Sequence, residues 1–379
     1  MLDLIYICDT RFPSFTANSI HIARMADAFL STGKVFQLIA PISTKKPLEE
    51  KGRVDSAGKF YGSKLFENPL YIYRRPGKFG KFLYLTAALL KSKNLNARVI
   101  YTRDLTAAFF AVLFGFQTVL ESHYPISKEG VGKRIIFNIV TLFNNFLGLS
   151  VITQSLRNSY AISHPKISGK IIVAPDAALQ NFNNKDYELK GNRLTVGYVG
   201  GLYKGKGVEV IIEVAKLNPH HHFRIFGGTE EHIRYWRSMC QSPNVEFCGF
   251  VEPANIQAVY SEIDVALLPN QASVIVGHAV AKDGNGQDIG AYTSPLKLFE
   301  YMAAGLPIIS SDLEVIREVV TQNEVIFAPP SDFSEWSNAL TRFESKEIRQ
   351  FYGRNAKSKF NGAYTWDIRA KRISDFFEI

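Results

Sequence analysis

Residues 194–219 read LTVGYVGGLYKGKGVEVIIEVAKLNP, and one line of sequence holds a strand, a turn and a helix. Leu194 to Val199 is a short apolar run of the buried-strand kind. Gly200 and Gly201 follow, and without a Cβ they let the backbone turn and let a ligand come close. From Val208 onward apolar residues recur at helical spacing. A strand feeding a helix through a glycine turn is one β-loop-α unit. Repeated, such units build a parallel sheet with helices on both faces.

The same pattern extends in both directions. Upstream, LIYICD (4–9), VFQLIAP (35–41), ARVIYTR (97–103) and QTVLESH (117–123) read as strands, and IHIARMADAFLSTG (20–33) reads as a helix stopped by Gly33. Downstream, FRIFGG, VEFCGFV, VALLPN and PIISSD read as further strands. Between the two series lies QNFNNKDYELKGNR (180–193), polar and asparagine-rich, which predicts a linker. The fold class is therefore α/β, with two doubly wound parallel-sheet domains of Rossmann type. One is expected over 1–185 with the terminal helix 364–379 returning to it, the other over 186–363. In open parallel sheets ligands bind beyond the carboxyl ends of the strands, so the expected site is a cleft between two such domains.

Composition narrows the function classes. A chain of 379 residues with 46% hydrophobic and 21% charged residues can bury two cores. Three cysteines, Cys8, Cys240 and Cys248, fit neither a metal spacing nor a disulfide framework, which predicts a reducing, cytoplasmic setting. The first residues have no basic segment followed by an apolar run of signal length, so secretion is not expected. The apolar stretch Ile135–Thr153 is interrupted by Asn138, Asn144 and Asn145 and reads as a buried helix running into a strand rather than a membrane span. The formal charge of +9 points to an anionic partner. Between Glu67 and Asp104 there is no acidic residue, while basic and aromatic residues alternate over 74–98. That segment is either a solvated face or a patch for an anionic membrane surface, which would make the protein peripheral to the inner face of the cell membrane. No nucleic-acid recognition motif accompanies the charge, so nucleic acid is not an expected partner.

The second informative stretch is TSPLKLFEYMAAGLP (293–307). Ser294 is a good N-cap, Pro295 suits the first turn, and Gly305 with Pro307 marks the end. Lys297 is misplaced by helix electrostatics, because the amino terminus is already positive. An anion docked there reverses the sign: the N–H groups of Leu296 and Lys297, the helix field and the ammonium would face one phosphate. Lys206, in the glycine turn of 200–207, supplies a second cation in the same domain, and together they suit a diphosphate. Glu300, three residues after Lys297, either pairs with it or accepts the vicinal hydroxyls of a ribose.

GYVGGLYKGKGVEVII, DVALLPN, SPLKLFEYMAAGLPIISSD and NAKSKFNGAYTWDIRAKRI together resemble the retaining glycosyltransferases of family 4, which have the GT-B fold. ICDTRFPSFTANSIHIARMADAFLSTG and VLESHYP resemble the acceptor half of that family. The resemblance implies that Lys206 and the N–H groups of Leu296 and Lys297 meet the donor diphosphate, with Gly200, Gly201 and Ser294 in the same donor site. It implies that Glu300 binds the ribose, that His123 approaches the transferred sugar, and that Ala17 and Asn18 lie in a post-strand loop closing over the donor. The chain departs from the family pattern twice. Gly201 stands where an arginine is usual, and Tyr292 where the first glutamate of E-x7-E is usual. Gln287, Asp288 and the backbone of KDGNGQDIGAY (282–292) are the candidates to replace that glutamate.

The reading that follows is a retaining transferase moving a sugar from a nucleoside diphosphate donor to a glycan or lipid-linked acceptor. Surface polysaccharide or glycolipid synthesis is the expected setting. No further cofactor is expected and no metal, since no Asp-x-Asp motif is present. Lys206, Lys297 and His123 are the expected catalytic residues. A sugar-nucleotide epimerase of the same fold and a non-enzymatic two-lobed binding protein are the alternatives.

Overall fold

The computed structural model describes the chain except for residues 1, 15, 44–56, 64–68, 181, 184, 190, 192 and 277–286. The described residues divide into two compact units, Met1–Pro175 with Trp366–Ile379, and Asp176–Thr365.

The first unit carries seven strands: β1 (Leu2–Ile7), β2 (Phe36–Ile42), β3 (Leu70–Tyr73), β4 (Ala97–Thr102), β5 (Gln117–Ser122), β6 (Phe146–Val151) and β7 (Ile171–Val173). Their order is β3-β2-β1-β4-β5-β6-β7, every pairing parallel. Strand order reverses between β1 and β4, so the crevice that such sheets use for ligands opens beyond Ile7 and Thr102. Helices Gly77–Asn94 and Leu105–Leu113 cover one side, where Tyr84, Leu85 and Ala107 share a core with Ile5, Ile39 and Ile100. Helix Trp366–Phe376 packs on helix Ala17–Ser31 within this unit.

The second unit carries β8 (Thr195–Val199), β9 (His222–Phe226), β10 (Val245–Gly249), β11 (Val265–Leu268), β14 (Ile308–Ser311) and β15 (Ile326–Ala328), ordered β10-β9-β8-β11-β14-β15 and all parallel. Its reversal lies between β8 and β11. The short β12 (Ile275–Val276) and β13 (Gln287–Asp288) form an antiparallel pair of their own. Its hydrophobic cores run along the sheet, one around Ile211, Phe223 and Trp336, the other around Leu298, Phe299 and Ile308.

Four expectations need correction. The boundary falls at 175/176 rather than near 185, because Asp176 and Tyr187 are hydrogen-bonded within the second unit. Asp176 N donates to Ser294 Oγ at 3.0 Å, and the Tyr187 hydroxyl donates to Gly305 O at 2.9 Å. The described part of the expected linker is thus packed chain. Ala17 and Asn18 are not in a loop: the helix starts at Ala17, because Thr16 accepts from Ser19 N and caps it. Ser294 does not cap helix Leu296–Ala303; Pro295 holds the cap position in extended conformation while the Ser294 hydroxyl serves Asp176. Lys297 is consequently the second helical residue. Finally, helix Val131–Val140 is not buried all round: Phe137 and Val140 face the core, but Ile135 and Ile139 are exposed. Among the described residues no helix is long and apolar enough to cross a membrane.

Candidate functional site

The donor-side candidates lie at the carboxyl ends of β8 and β11. After Val199 the chain turns at Gly200 and Gly201, passes Tyr203 to Lys206 in a turn closed by Lys206 N donating to Tyr203 O at 3.1 Å, and enters helix Val208–Leu217. Gly205 and Gly207 flank the lysine with φ of +88° and +77°, the left-handed region that favours glycine. Neither has room for a side chain: a Cβ on Gly207 would sit 1.9 Å from Pro269 O, and one on Gly205 2.2 Å from Ser273 O. The glycine turn therefore rests on the backbone of 269–274, the segment that leaves β11. Gln271 N donates to Gly205 O at 2.9 Å across the same contact.

That segment also carries the next loop. Asp288 Oδ1 accepts from Val274 N and from Gly290 N, both at 2.9 Å, and Ile289 N donates to Val274 O at 3.0 Å. From Gly290 the chain runs through Tyr292 into helix Leu296–Ala303. Asp288 thus spends one carboxylate oxygen on holding this loop. Gln287 lies beside it on β13; Lys282–Gly286 lie outside the described residues. Two backbone hydrogen bonds, Gln271 N to Gly205 O and Ile289 N to Val274 O, with the Asp288 carboxylate beside the second, therefore link the lysine turn, the β11 exit and the loop that leads into the helix bearing Lys297.

At the start of that helix the N–H groups of Leu296 and Lys297 have no acceptor among the described residues, which is the ordinary state of a helix amino terminus awaiting water or an anion. Lys297 Nζ lies 2.6 Å from Glu300 Oε2 and 3.4 Å from the Tyr260 hydroxyl. The Tyr260 hydroxyl donates to the same Glu300 oxygen. Burial, reinforced by the Glu300 charge, holds the Tyr260 hydroxyl well above its usual pKa, so it stays a donor. Lys297 and Glu300 are partners here, with one oxygen of Glu300 shared between an ammonium and a phenol. Lys206 Nζ lies 5.3 Å from the centre of the Tyr203 ring, a cation–π arrangement. Tyr260, the paired glycines Gly227 and Gly228, and the β11 exit were not singled out by sequence reasoning. Gly227, with a Cβ position 2.0 Å from Gly200 O, had one visible signal: a Gly-Gly pair directly after a strand.

In the first unit His123 follows β5. Its Nε2 lies 2.5 Å from Oε1 of the fully buried Glu121. The same oxygen is 3.1 Å from His21 Nε2 and 3.3 Å from an Arg369 nitrogen, and Tyr101 donates to the other. Burial pushes the Glu121 carboxyl up, but Arg369, His21 and His123 together outweigh it and hold it well below the usual range. Burial, helped by the positive charge of Arg103, lowers His123 to about 4 against the support of Glu121. A neutral His123 giving its Nε2 proton to Glu121 leaves Nδ1 as an acceptor. Asn18, from the first turn of its helix, donates to Thr10 Oγ1 at 2.8 Å, and Ala17 lies one residue before it.

Residues 193–345 match the family described as Glycosyl transferases group 1. Phosphatidyl-myo-inositol mannosyltransferase of Mycobacterium leprae is 27% identical over 153 residues, 40% of this chain and 33% of that protein. An uncharacterized glycosyltransferase of Methanocaldococcus jannaschii is 25% identical over 191 residues, 48% of this chain and 44% of that one. This chain therefore spans less than half the length of these two curated relatives. Among solved structures, Anabaena Alr3699/HepE in complex with UDP and glucose superposes with a TM-score of 0.71 at 13% identity, covering 100% of both chains. Sucrose-phosphate synthase from Thermosynechococcus elongatus gives 0.69 at 13%, covering 99% and 98%. At such identities these structures establish the fold alone, and it is GT-B.

Proposed function

We propose that this GT-B chain, whose residues 193–345 match the family described as Glycosyl transferases group 1, transfers a sugar from a nucleoside diphosphate donor. The reading rests chiefly on one observation. The turn carrying Lys206 and the helix terminus carrying Lys297 flank the reversal between β8 and β11 and are joined by backbone contacts through 269–274. Alr3699/HepE is described with UDP, with UDP and glucose, and with UDP-glucose, which supports a nucleotide-sugar donor here.

The proposed chemistry follows from where charge develops. Breaking the bond between sugar and diphosphate builds negative charge on the leaving oxygens. Lys206, Lys297 and the free N–H groups of Leu296 and Lys297 are assigned to that charge, each contributing most as the bond breaks. Glu300, oriented by Tyr260, is assigned to the ribose hydroxyls. Ser294 is assigned to fixing the segment that enters the helix, through its hydrogen bond from Asp176 N, and Gly200 and Gly201 to leaving room at the turn. Of the carboxylates near these residues, Glu300 is engaged by Lys297 and Tyr260, and Asp288 Oδ1 by Val274 N and Gly290 N, so neither is assigned as a nucleophile. Transfer with retention is therefore assigned to same-face displacement, with a leaving-group oxygen taking the proton of the acceptor, and with no metal in the scheme. His123 Nδ1 is assigned a hydrogen bond on the acceptor side. A glycan or lipid-linked acceptor in polysaccharide or glycolipid synthesis, met by the basic segment 74–98 at an anionic membrane face, completes the proposal.

The test is slow hydrolysis. Incubation with a panel of nucleotide sugars and no acceptor is expected to release nucleoside diphosphate from one donor, with the freed sugar initially in the donor's anomeric configuration. Recovery of every donor unchanged, or as an isomer still joined to its nucleotide, rejects transfer; the second outcome identifies an epimerase.

A further inference from the structure

We propose that the face of the first unit formed by helices Gly77–Asn94 and Val131–Val140 docks on an anionic lipid bilayer. The inference deepens the membrane part of the functional reading by adding a second helix to the expected contact. Its support is independent of any donor chemistry.

Helix Val131–Val140 is apolar on two sides. Phe137 and Val140 are fully buried, while Val131, Ile135, Ile139 and, just past its end, Leu142 are 37–77% exposed. Their spacing of four, four and three residues aligns them in one stripe. Helix Gly77–Asn94 repeats the arrangement with exposed Phe79, Phe82, Leu83 and Leu90 opposite buried Tyr84, Leu85 and Leu89. Helix Leu105–Leu113 packs against both and joins the stripes. The Phe82 ring lies 5.5 Å from that of Phe110, and Asn145, just beyond Leu142, donates to Val112 O at 2.9 Å. Exposed Leu113 and Phe114 lie at that junction. A continuous apolar area of this kind on a folded unit marks a contact surface.

Charge selects the occupant. Lys78, Lys91, Lys93 and Arg134 are exposed on these helices and carry no ion pair among the described residues. Acidic residues are absent from 68–103 and again from 130–175. A second copy docked by the same face would set these cations against each other. Anionic headgroups neutralise them while the apolar stripes enter the acyl boundary.

The experiment is co-sedimentation of the full chain with phosphatidylcholine vesicles, with and without phosphatidylglycerol, in the absence of any nucleotide. Binding is expected only with phosphatidylglycerol and is expected to weaken as salt rises. The paired variants Ile135→Ser/Leu142→Ser and Lys91→Gln/Lys93→Gln should each lower partitioning roughly tenfold. Phe351→Ser, at an exposed position of the second unit, should leave partitioning unchanged. Because all these side chains are exposed, thermal transitions should match the parent and separate lost binding from lost fold. Failure to bind, or equal binding by Ile135→Ser/Leu142→Ser, overturns the proposal. So does light scattering that shows a dimer abolished by the same pair, which makes a second copy the occupant. None of these outcomes bears on whether the protein hydrolyses a nucleotide sugar.

Discussion

Glu300 shows how much one carboxylate decides. Its Oε2 holds both the Lys297 ammonium and the Tyr260 hydroxyl. The sequence showed the Lys297–Glu300 pair, three residues apart on one helix, but not Tyr260, which comes from helix Ile256–Glu262. If Tyr260 orients Glu300 for ribose, Tyr260→Phe removes one hydrogen bond worth about 1–1.5 kcal/mol. KM for the donor should then rise roughly tenfold with kcat little changed. An unchanged KM rejects the positioning role. His123 gives a second residue-scale prediction. Its pKa falls from 6.5 in the ordinary state to about 4 in the fold, so between those values the unfolded chain binds the extra proton. Stability should therefore fall as pH drops through that window, by at most about 1.4 kcal/mol per unit for one proton. Urea midpoints for His123→Asn should show a flatter slope than the parent over the same range. Parallel slopes contradict the assignment.

At the scale of elements, the β-loop-α reading recovered most strands of both sheets, because long apolar runs between turn residues leave few alternatives. LTVGYVGG, VALLPN and PIISSD appear as β8, β11 and β14 with little change of boundary. The misses have physical causes. Thr16 capped a helix three residues ahead of its apolar repeat, and Pro295 displaced Ser294 because a tertiary hydrogen bond claimed the serine. The strand LYIY (β3) was hidden in a basic, aromatic stretch read for its charge. Helix Val131–Val140 reads as buried from composition, which cannot tell an apolar face turned inward from one turned out, as Ile135 and Ile139 are. The role of the glycines was legible as permissive geometry, but their tight contacts with 269–274 were not, since those depend on a segment some 65 residues away. These contacts make Gly207→Ala a test of the turn. With φ of +77° and a Cβ 1.9 Å from Pro269 O, the change should cost more than about 2 kcal/mol and displace Lys206. Denaturant melts combined with diphosphate titration measure both effects. A stable variant with parental affinity shows the turn to be plastic.

Over the whole molecule, the division at 175/176 and 365/366 leaves each unit its own sheet and its own buried core. The residues proposed for the donor diphosphate and ribose, Lys206, Leu296, Lys297 and Glu300, all belong to Asp176–Thr365. That fragment, expressed alone, should unfold in one cooperative transition. Saturating nucleoside diphosphate should stabilise it, by about 2.7 kcal/mol at a hundredfold excess over Kd. A fragment that folds but ignores the ligand moves the donor residues' role elsewhere. The sequence disclosed two domains and their class from repeated βα units. It could not disclose that Asp176 and Tyr187 are bonded within the second unit, because polar, asparagine-rich composition is shared by free linkers and by chain held through tertiary hydrogen bonds.

The most direct measurement is calorimetric titration of the full chain and of Lys206→Ala and Lys297→Ala with a nucleoside diphosphate and with its monophosphate. If both ammonium groups serve one pyrophosphate, each variant loses far more affinity for the diphosphate than for the monophosphate, and the double variant loses less than the sum. Parental discrimination between the two ligands in all variants, or losses equal for both ligands, contradicts a shared diphosphate site.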